Sequence, residues 1–401
     1  MRHKTFLKVL VFIIAALLLT QCERFGEDET DPSILEYIPD IIDNGRNFDA
    51  VVANDKIYLI SDNYYELDLE GNIIYTNENV NDIRQGVFDF HPAVDVGSDT
   101  VVHVIHRRGD KTIGVGFELN YSKREAGGTW SIVNQVVGSE QPRNYVVDVV
   151  AMDGGEAVYA HTMLTTDDVE GQVFFYKLYD GKVDTWGSFG DDNYYRVDAD
   201  FRMVRYGNTL HLATGQPDPT GTVFYMHAPI NSSLPTALAS SADQFLTGGA
   251  RAGMPDIKVD NNGRVFITSG DGDREEVVFE RFSNTGTNQV SNKILLDGLG
   301  GWHLDLGMSA MATSTTGDTI LVVGLETGGD AESASNSSLR YTYSFDAGDS
   351  WSSYAIPHRR THACEGRNRP RIHFYNSRFY VFYNNVDGGI SMIRFQLVDG
   401  P

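Results

Sequence analysis

Short runs of β-branched and aromatic residues alternate with turns rich in Gly, Asn and Asp along most of the chain. This pattern predicts an all-β protein, because period-two runs bounded by turn residues are typical of strands. One unit recurs: a short strand, a tight polar turn, and a second strand that is apolar at nearly every position. Such continuous apolarity indicates a strand buried on both faces.

Seven of these units are present, and their turns have the Gly, Asn and Asp residues that hairpins with positive φ require. Their spacing is roughly 43 to 60 residues, as in four-stranded propeller blades. We therefore predict a seven-bladed β-propeller of antiparallel blades; a count of six or eight would follow if one unit were misassigned. The paired strands are predicted at 48–52 and 57–60, 92–94 and 101–105, 147–152 and 157–159, 201–205 and 210–212, 257–259 and 265–267, 308–313 and 320–323, and 371–375 and 379–382.

The N-terminus predicts export and lipid anchoring. Arg2, Lys4 and Lys8 precede an apolar run at 9–19, which is too short to span a bilayer but suits a signal peptide. The run ends at Leu19-Thr20-Gln21-Cys22, which resembles a bacterial lipobox with Cys22 as the lipidated residue; an ordinary secretory signal is the alternative. We predict a signal peptide at 1–21, a lipidated Cys22 with an acidic tether at 22–46, and the propeller at 47–401.

The charge balance narrows the class of partner. The net charge is −23 and there is no basic arm, which argues against nucleic-acid binding. The acidic stretch after Cys22 resembles the surface-export signals of Bacteroidetes lipoproteins, so we expect an outer-membrane protein exposed at the cell surface. With Cys22 lipidated, Cys364 is the one remaining thiol, and no disulfide would form within the chain. We expect a monomer.

One turn carries a further resemblance. Ser344-Phe345-Asp346-Ala347-Gly348-Asp349-Ser350-Trp351 matches the Asp-box (BNR repeat) of sialidase-like propellers, and 125–130 is a degenerate copy with Gly128 and Trp130. In this motif the carboxylate accepts hydrogen bonds from the turn, Gly takes a positive φ and Trp packs into the blade. The motif therefore supports the fold and carries no activity by itself.

Arg, His and Tyr residues cluster where the first strand of each unit begins. All these positions should lie at one rim of the propeller, where ligands bind. The stretch from His358 to Arg371 is the densest, with five Arg and two His against a single acid. Bidentate Arg contacts suit carboxylate or sulfate groups, so the partner predicted here is an acidic polysaccharide or oligosaccharide; pairing with surface carboxylates is the alternative. The rim residues predicted to bind substrate are Arg46, His106, Tyr145, Tyr194, His303, Arg367 and Arg369.

The order His91, His106, Tyr195 and Arg202 resembles the His, His, Tyr, Arg series of propeller-type ulvan lyases. That resemblance implies a polysaccharide lyase that cleaves a uronic-acid-containing polysaccharide by β-elimination. It implies that Arg202 neutralises the substrate carboxylate while His91 and Tyr195 share the base and acid steps. Tyr194 or Tyr145 are alternatives to Tyr195.

Three other functions fit the same fold. A sialidase would use Arg46, Arg202 and Arg369 as its arginine triad, although the Arg-Ile-Pro element is absent near residue 46. Another glycoside hydrolase would need two facing carboxylates. A non-catalytic glycan-binding lipoprotein would need only exposed aromatic and polar groups. The carboxylates that the sequence places near the rim are Asp62, Asp148, Asp200 and Asp305.

No cofactor is required for elimination by Arg, His and Tyr, but two segments could hold a structural ion. His358, His362 and Cys364 are soft ligands for Zn²⁺, although their spacing matches no established zinc motif. The segment 260–263 resembles part of a calcium loop, but it lacks the downstream Glu.

Overall fold

In the computed structural model, the described residues form 28 strands in seven four-stranded antiparallel sheets, which confirms the predicted seven-bladed propeller. The structure describes residues 34–43, 45, 48–61, 63–77, 92–108, 118–137, 146–164, 171–179, 182–189, 201–216, 222–241, 243–246, 252–271, 276–284, 286–297, 302–328, 337–353, 355–361, 369–385 and 388–397.

Blades one to six are meanders in which the first strand along the chain is the innermost. Blade one contains β2 (Asp49–Ala53), β3 (Lys56–Ile60), β4 (Tyr64–Leu67) and β5 (Ile73–Asn77). Blade two contains β6 (Ala93–Val96), β7 (Val102–Arg108), β8 (Glu118–Arg124) and β9 (Trp130–Val137). Blade three contains β10 (Val147–Ala151), β11 (Ala157–Leu164), β12 (Gly171–Tyr179) and β13 (Lys182–Phe189). Blade four contains β14 (Phe201–Tyr206), β15 (Thr209–Gln216), β16 (Thr222–Pro229) and β17 (Asp243–Leu246). Blade five contains β18 (Ala252–Val259), β19 (Val265–Asp271), β20 (Glu276–Phe282) and β21 (Asn288–Asp297). Blade six contains β22 (Trp302–Thr313), β23 (Ile320–Gly328), β24 (Ser337–Ser344) and β25 (Ala355–Thr361).

Blade seven is completed by the start of the chain. Its strands are β26 (Arg371–Tyr375), β27 (Arg378–Asn384), β28 (Ile390–Phe395) and β1 (Ile34–Ile42), and β1 pairs with β28. The predicted boundary at residue 47 is therefore wrong, because residues 34–42 belong to the propeller and not to the tether. The physical reason is that β28 has an open edge, which β1 covers with a ladder of backbone hydrogen bonds. Ile41 and Ile42 are buried as a result.

The inner strands form a closed ring. Each inner strand contacts that of the next blade, and β26 contacts β2. The second strand of each blade is deeply buried, as predicted from its apolarity; Ile57 and Leu59 in β3 are fully buried, as are Val322 and Val323 in β23. Hydrophobic clusters between neighbouring blades hold the ring together, and the helix α1 (Leu234–Ser240) covers blade four with Leu234 and Leu238. Among the described residues, no helix is long and apolar enough to cross a membrane.

The turn at 344–351, whose sequence resembles an Asp-box, is held by local contacts. Asp346 accepts a hydrogen bond from the Ser350 N–H at 2.8 Å, and Gly348 has φ of +93°. Trp351 packs edge-on against Phe279 of blade five, with ring centroids 5.0 Å apart. The degenerate copy places Trp130 against Tyr64 of blade one in the same way, at 4.8 Å. Both turns therefore anchor a blade to the one before it.

Candidate functional site

The propeller axis contains a cavity of about 560 Å³, which is lined by the inner strands. Successive side chains of a strand point to opposite faces, so Asp49 and Val51 of β2 share one face of the strand. Charged residues occupy the beginning of several inner strands, and they line the cavity: Asp49, Asp148, Arg202, Asp256, Arg369 and Arg371.

Aspartates link neighbouring blades at this end of the cavity. Asp49 accepts the Val94 N–H at 3.0 Å, and Asp148 accepts the Met203 N–H at 2.7 Å. Asp256 accepts the Met311 N–H at 2.8 Å, so the same link joins blade one to two, three to four and five to six. Asp95, deeper in the cavity, joins blade two to three through the Ala151 N–H at 2.7 Å. Each carboxylate satisfies a backbone donor of the next blade.

Two arginines bridge blades that are not neighbours. Arg202 of blade four contacts Asp148 of blade three at 3.4 Å and Asp49 of blade one at 3.9 Å. Arg369, before β26, donates to the Pro255 carbonyl of blade five at 2.9 Å. The contact between Arg202 and Asp49 bypasses blade two, where Ala93 occupies the position that corresponds to Asp49. The contact between Arg369 and Pro255 bypasses blade six, where Ala310 occupies the corresponding position.

The aspartates of the cavity have different pKa values because their surroundings differ. Burial alone would raise the pKa of Asp49, but the Arg371 and Arg202 guanidinium groups hold it below its usual value. Burial raises the pKa of Asp148 to about 6 against the opposing effect of Arg202, and the nearby Asp49 charge adds to the increase. Burial also raises the pKa of Asp95 to about 6. The site thus combines an easily protonated carboxyl, Asp148, with one that stays ionised, Asp49.

A histidine also lines the cavity below this level. Burial lowers the pKa of His373 to about 4, with a smaller effect in the same direction from Lys258. The imidazole is therefore neutral at pH 7 and can accept or donate a hydrogen bond without adding charge. Sequence reasoning placed Arg371 near the rim as part of the Arg-rich stretch, but it did not identify His373 or Asp49 as site residues. The available signal was their place on the predicted inner strands β2 and β26, which line the cavity.

The structure describes the side chains of four of the predicted residues, which are His106, Asp148, Arg202 and Arg369. Arg202 and Arg369 lie at the axis, with 14% of the Arg202 side chain exposed and 3% of Arg369. His106 is 1% exposed, lies inside blade two and hydrogen-bonds through Nε2 to Ser122 Oγ at 2.8 Å. This burial contradicts the exposed rim position predicted for His106. Its physical cause is the length of β7, which continues to Arg108 and keeps His106 within the sheet.

The other predicted residues lie outside what the structure describes. For His303 in β22 and His358 in β25 only the backbone is described, and the same holds for Asp305. The residues outside the described ranges are Cys22, Arg46, Asp62, His91, Tyr145, Tyr194, Tyr195, Asp200, His362, Cys364 and Arg367.

Among the side chains that the structure describes, no group of three or more His, Cys, Asp and Glu residues is arranged around a common point. The side chains of His358, His362 and Cys364 are not among them, so the zinc prediction stays a prediction. Asp260, in the segment that resembles a calcium loop, instead accepts the N–H groups of Asn262 and Arg264 at 2.8 Å and pairs with the Arg264 guanidinium at 2.7 Å. Its carboxylate stabilises the hairpin turn.

No protein-family model and no curated protein matches this chain. Solved structures with a similar arrangement include the polysaccharide lyase Uly1, with 12% identity over 93% of this chain and 94% of the other, and a TM-score of 0.47. An oligogalacturonate lyase in complex with manganese has 13% identity over 86% of each chain and a TM-score of 0.46. An α-L-arabinanase of Penicillium chrysogenum, complexed with arabinobiose, has 11% identity over 76% of this chain and 92% of the other, and a TM-score of 0.42. Lyases and glycosidases thus both occur among the structural neighbours, and the comparisons do not assign a reaction.

Proposed function

We propose that this protein is a surface lipoprotein that cleaves a uronic-acid-containing polysaccharide by β-elimination at the end of the axial cavity where the inner strands begin. The observation that carries the proposal is Arg202, whose guanidinium group lies at the axis and reaches across it from blade four to blade one. In a chain of net charge −23, Arg202, Arg369 and Arg371 gather at this one place.

The chemistry assigns each residue a role. Elimination needs a cation beside the uronate carboxylate, so that the adjacent C–H bond becomes acidic. Arg202 would supply that cation, while His91 and Tyr195 would remove the proton and protonate the leaving oxygen. His91 directly precedes the Pro92 that leads into β6, and Tyr195 lies in the connection to β14. That connectivity supports placing them at the same end of the cavity as Arg202.

Ultraviolet absorbance provides the test. The mature protein is mixed in turn with ulvan, alginate, pectin, glycosaminoglycans and gellan-type glycans, and an absorbance rise reports unsaturated uronate ends. Arg202→Lys, which keeps the charge but loses the planar fork, should reduce the rate about 100-fold or more. Arg205→Gln is the matched control, because Arg205 lies in the same strand but pairs with Asp153, at 2.6 Å, near the other end of β14. An unchanged rate in the Arg202 variant would refute the assignment.

Two further properties belong to the proposal. Elimination by these residues needs no metal, so dialysis against a chelator should leave the rate unchanged; a lost rate restored by Zn²⁺ or Ca²⁺ would show an ion requirement. Lipidation of Cys22 should place the protein in the outer membrane as a monomer, and Cys22→Ser should release it into the soluble fraction.

A second candidate is a glycoside hydrolase. The observation that favours it is the pair of carboxyls on either side of Arg202, in which the raised pKa of Asp148 suits a general acid and the lowered pKa of Asp49 suits a base or nucleophile. A hydrolase would release reducing ends without the ultraviolet signal. Binding of glycan without either product would identify a non-catalytic glycan-binding protein.

A further inference from the structure

Four charged residues from four blades form one chain of contacts across the axis. Asp148 of blade three contacts Arg202 of blade four, Arg202 contacts Asp49 of blade one, and Asp49 accepts a hydrogen bond from Arg371 Nε of blade seven at 2.5 Å. Two positive and two negative charges alternate along this chain. The two terminal nitrogens of Arg202 thus have different partners, with Asp148 at Nη1 and Asp49 at Nη2.

Asp148 holds Arg202 at two points. Its Oδ2 atom accepts the N–H of Met203, the residue after Arg202, at 2.7 Å. Its Oδ1 atom faces Arg202 Nη1 at 3.4 Å. The carboxylate therefore fixes both the backbone from which Arg202 projects and one edge of the guanidinium group, which limits the directions that the other edge can take.

Asp49 is bound differently. Its closer cationic partner is Arg371, whereas its Oδ1 atom lies 3.9 Å from Arg202 Nη2. Arg371 is therefore the nearer counter-charge of Asp49, and Arg202 is the more distant one. An incoming carboxylate that replaced Asp49 at Nη2 would leave no unpaired buried charge, because Asp49 would keep Arg371 and Asp148 would keep Nη1.

We propose that Asp148 is the positioning residue for Arg202, and that a free uronate carboxylate exchanges with Asp49 at the Nη2 edge of Arg202. The inference rests on the proposed function and deepens it by naming the group that the substrate must present. A methyl-esterified uronate has no charge to exchange for that of Asp49. The protein should therefore select free uronates over their methyl esters.

Asp148→Asn is the central variant, because the amide oxygen can still accept the Met203 N–H while the charge is lost. Asp95→Asn is the matched control: Asp95 makes the same kind of blade link, to Ala151, and also accepts the Val96 N–H. Calorimetry measures the binding of trigalacturonate and of its methyl ester to each variant, and KM and kcat are measured on the polysaccharide that the wild-type protein cleaves. Thermal melts verify folding.

We expect Asp148→Asn to weaken trigalacturonate binding and to raise KM about tenfold, while Asp95→Asn stays within about twofold of wild type. Wild type should bind the methyl ester at least about tenfold more weakly than the free acid. Equal losses in both variants would show that the carboxylates act only on blade packing, and equal affinity for acid and ester would contradict the exchange at Nη2; either result overturns the inference.

The binding measurement separates this inference from the proposed function. Wild-type protein that binds trigalacturonate, with the expected loss in Asp148→Asn, but cleaves no glycan would refute the lyase and leave the positioning role intact. Cleavage that is insensitive to Asp148→Asn, with unchanged KM and kcat, would refute the positioning role and leave the lyase intact. Absence of both cleavage and binding would refute both.

Discussion

The Nδ1 atom of His103 lies 2.7 Å from the hydroxyl oxygen of Tyr121 on the adjacent strand, and both side chains are fully buried inside blade two. Blade four repeats the pair with His211 and Tyr225 at 2.8 Å. In blade three, His161 hydrogen-bonds to Tyr159 through Nδ1 and stacks on Tyr176. Three consecutive blades thus enclose a neutral imidazole with a tyrosine hydroxyl partner.

These histidines should make the fold sensitive to acid. Burial lowers the pKa of His103 and His211 to about 4 and that of His161 to about 3, against an ordinary value of 6.5. At pH values between these lowered pKa values and 6.5, the unfolded chain binds protons that the folded protein does not. The contribution of the three histidines to stability is therefore complete above pH 6.5 and is lost as the pH falls toward 4. The double variant His103→Phe/Tyr121→Phe should reduce this loss by roughly 3 kcal/mol, measured by urea unfolding from pH 7 to pH 4. An unchanged pH dependence would mean that His103 is not buried as a neutral group.

The contribution of Asp95 to the free energy of unfolding should have the opposite pH dependence. Because burial raises its pKa from 3.8 to about 6, the folded protein binds a proton there that the unfolded chain has lost, and this contribution disappears as the pH rises from 3.8 through 6. Asp95→Asn removes the titration. The free energy of unfolding of the variant, relative to wild type, should therefore increase between pH 4 and pH 7, and urea titrations at several pH values would measure it. A relative stability that falls with pH would contradict the raised pKa.

Replacement of Gly348, in the turn at 344–351, should destabilise the fold. Its φ of +93° is disfavoured for other residues, and an added Cβ would collide with the Phe279 ring of blade five. Gly348→Ala should cost more than about 2 kcal/mol of unfolding free energy. Gly127, in the degenerate copy, has no atom within 4 Å of an added Cβ, so Gly127→Ala is the control and should be close to neutral in the same melts. Equal stabilities of the two variants would contradict this account of the turn.

The strand β1 should be required for full stability. A chain that begins at Asp43 would expose the edge of β28 and lose the buried side chains of Ile41 and Ile42, at a cost of roughly 3 kcal/mol or more. A chain that begins at Asp31 keeps β1 and is the control. Thermal melts should show a clearly lower Tm for the shorter chain alone. The same Tm for both chains would mean that the propeller does not need this closure.

The sequence by itself determined the architecture. A hairpin unit recurs seven times, and each copy carries the turn residues and the buried strand that a blade needs, so periodicity and turn chemistry were sufficient to predict every inner pair of strands. Local signals of this kind act within about ten residues, and tertiary contacts did not have to be known. The Asp-box turn was predictable for the same reason, since Asp346, Gly348 and Ser350 act on one another within a single turn.

Tertiary structure alone decided which residues meet at the axis and where the ring closes. Asp49, Arg202 and Arg371 are far apart in the chain, and their contacts depend on how seven blades are placed around a common axis. Position along a strand placed both Arg202 and His106 at the rim where the inner strands begin. The structure instead buries His106 inside blade two, because sequence does not reveal how far β7 continues before it leaves the sheet. The pairing of β1 with β28 joins residues more than 340 positions apart, and no local pattern near Ile34 identifies its partner. Long-range packing supplies this information, since a strand edge can be satisfied by any segment that the fold brings to it.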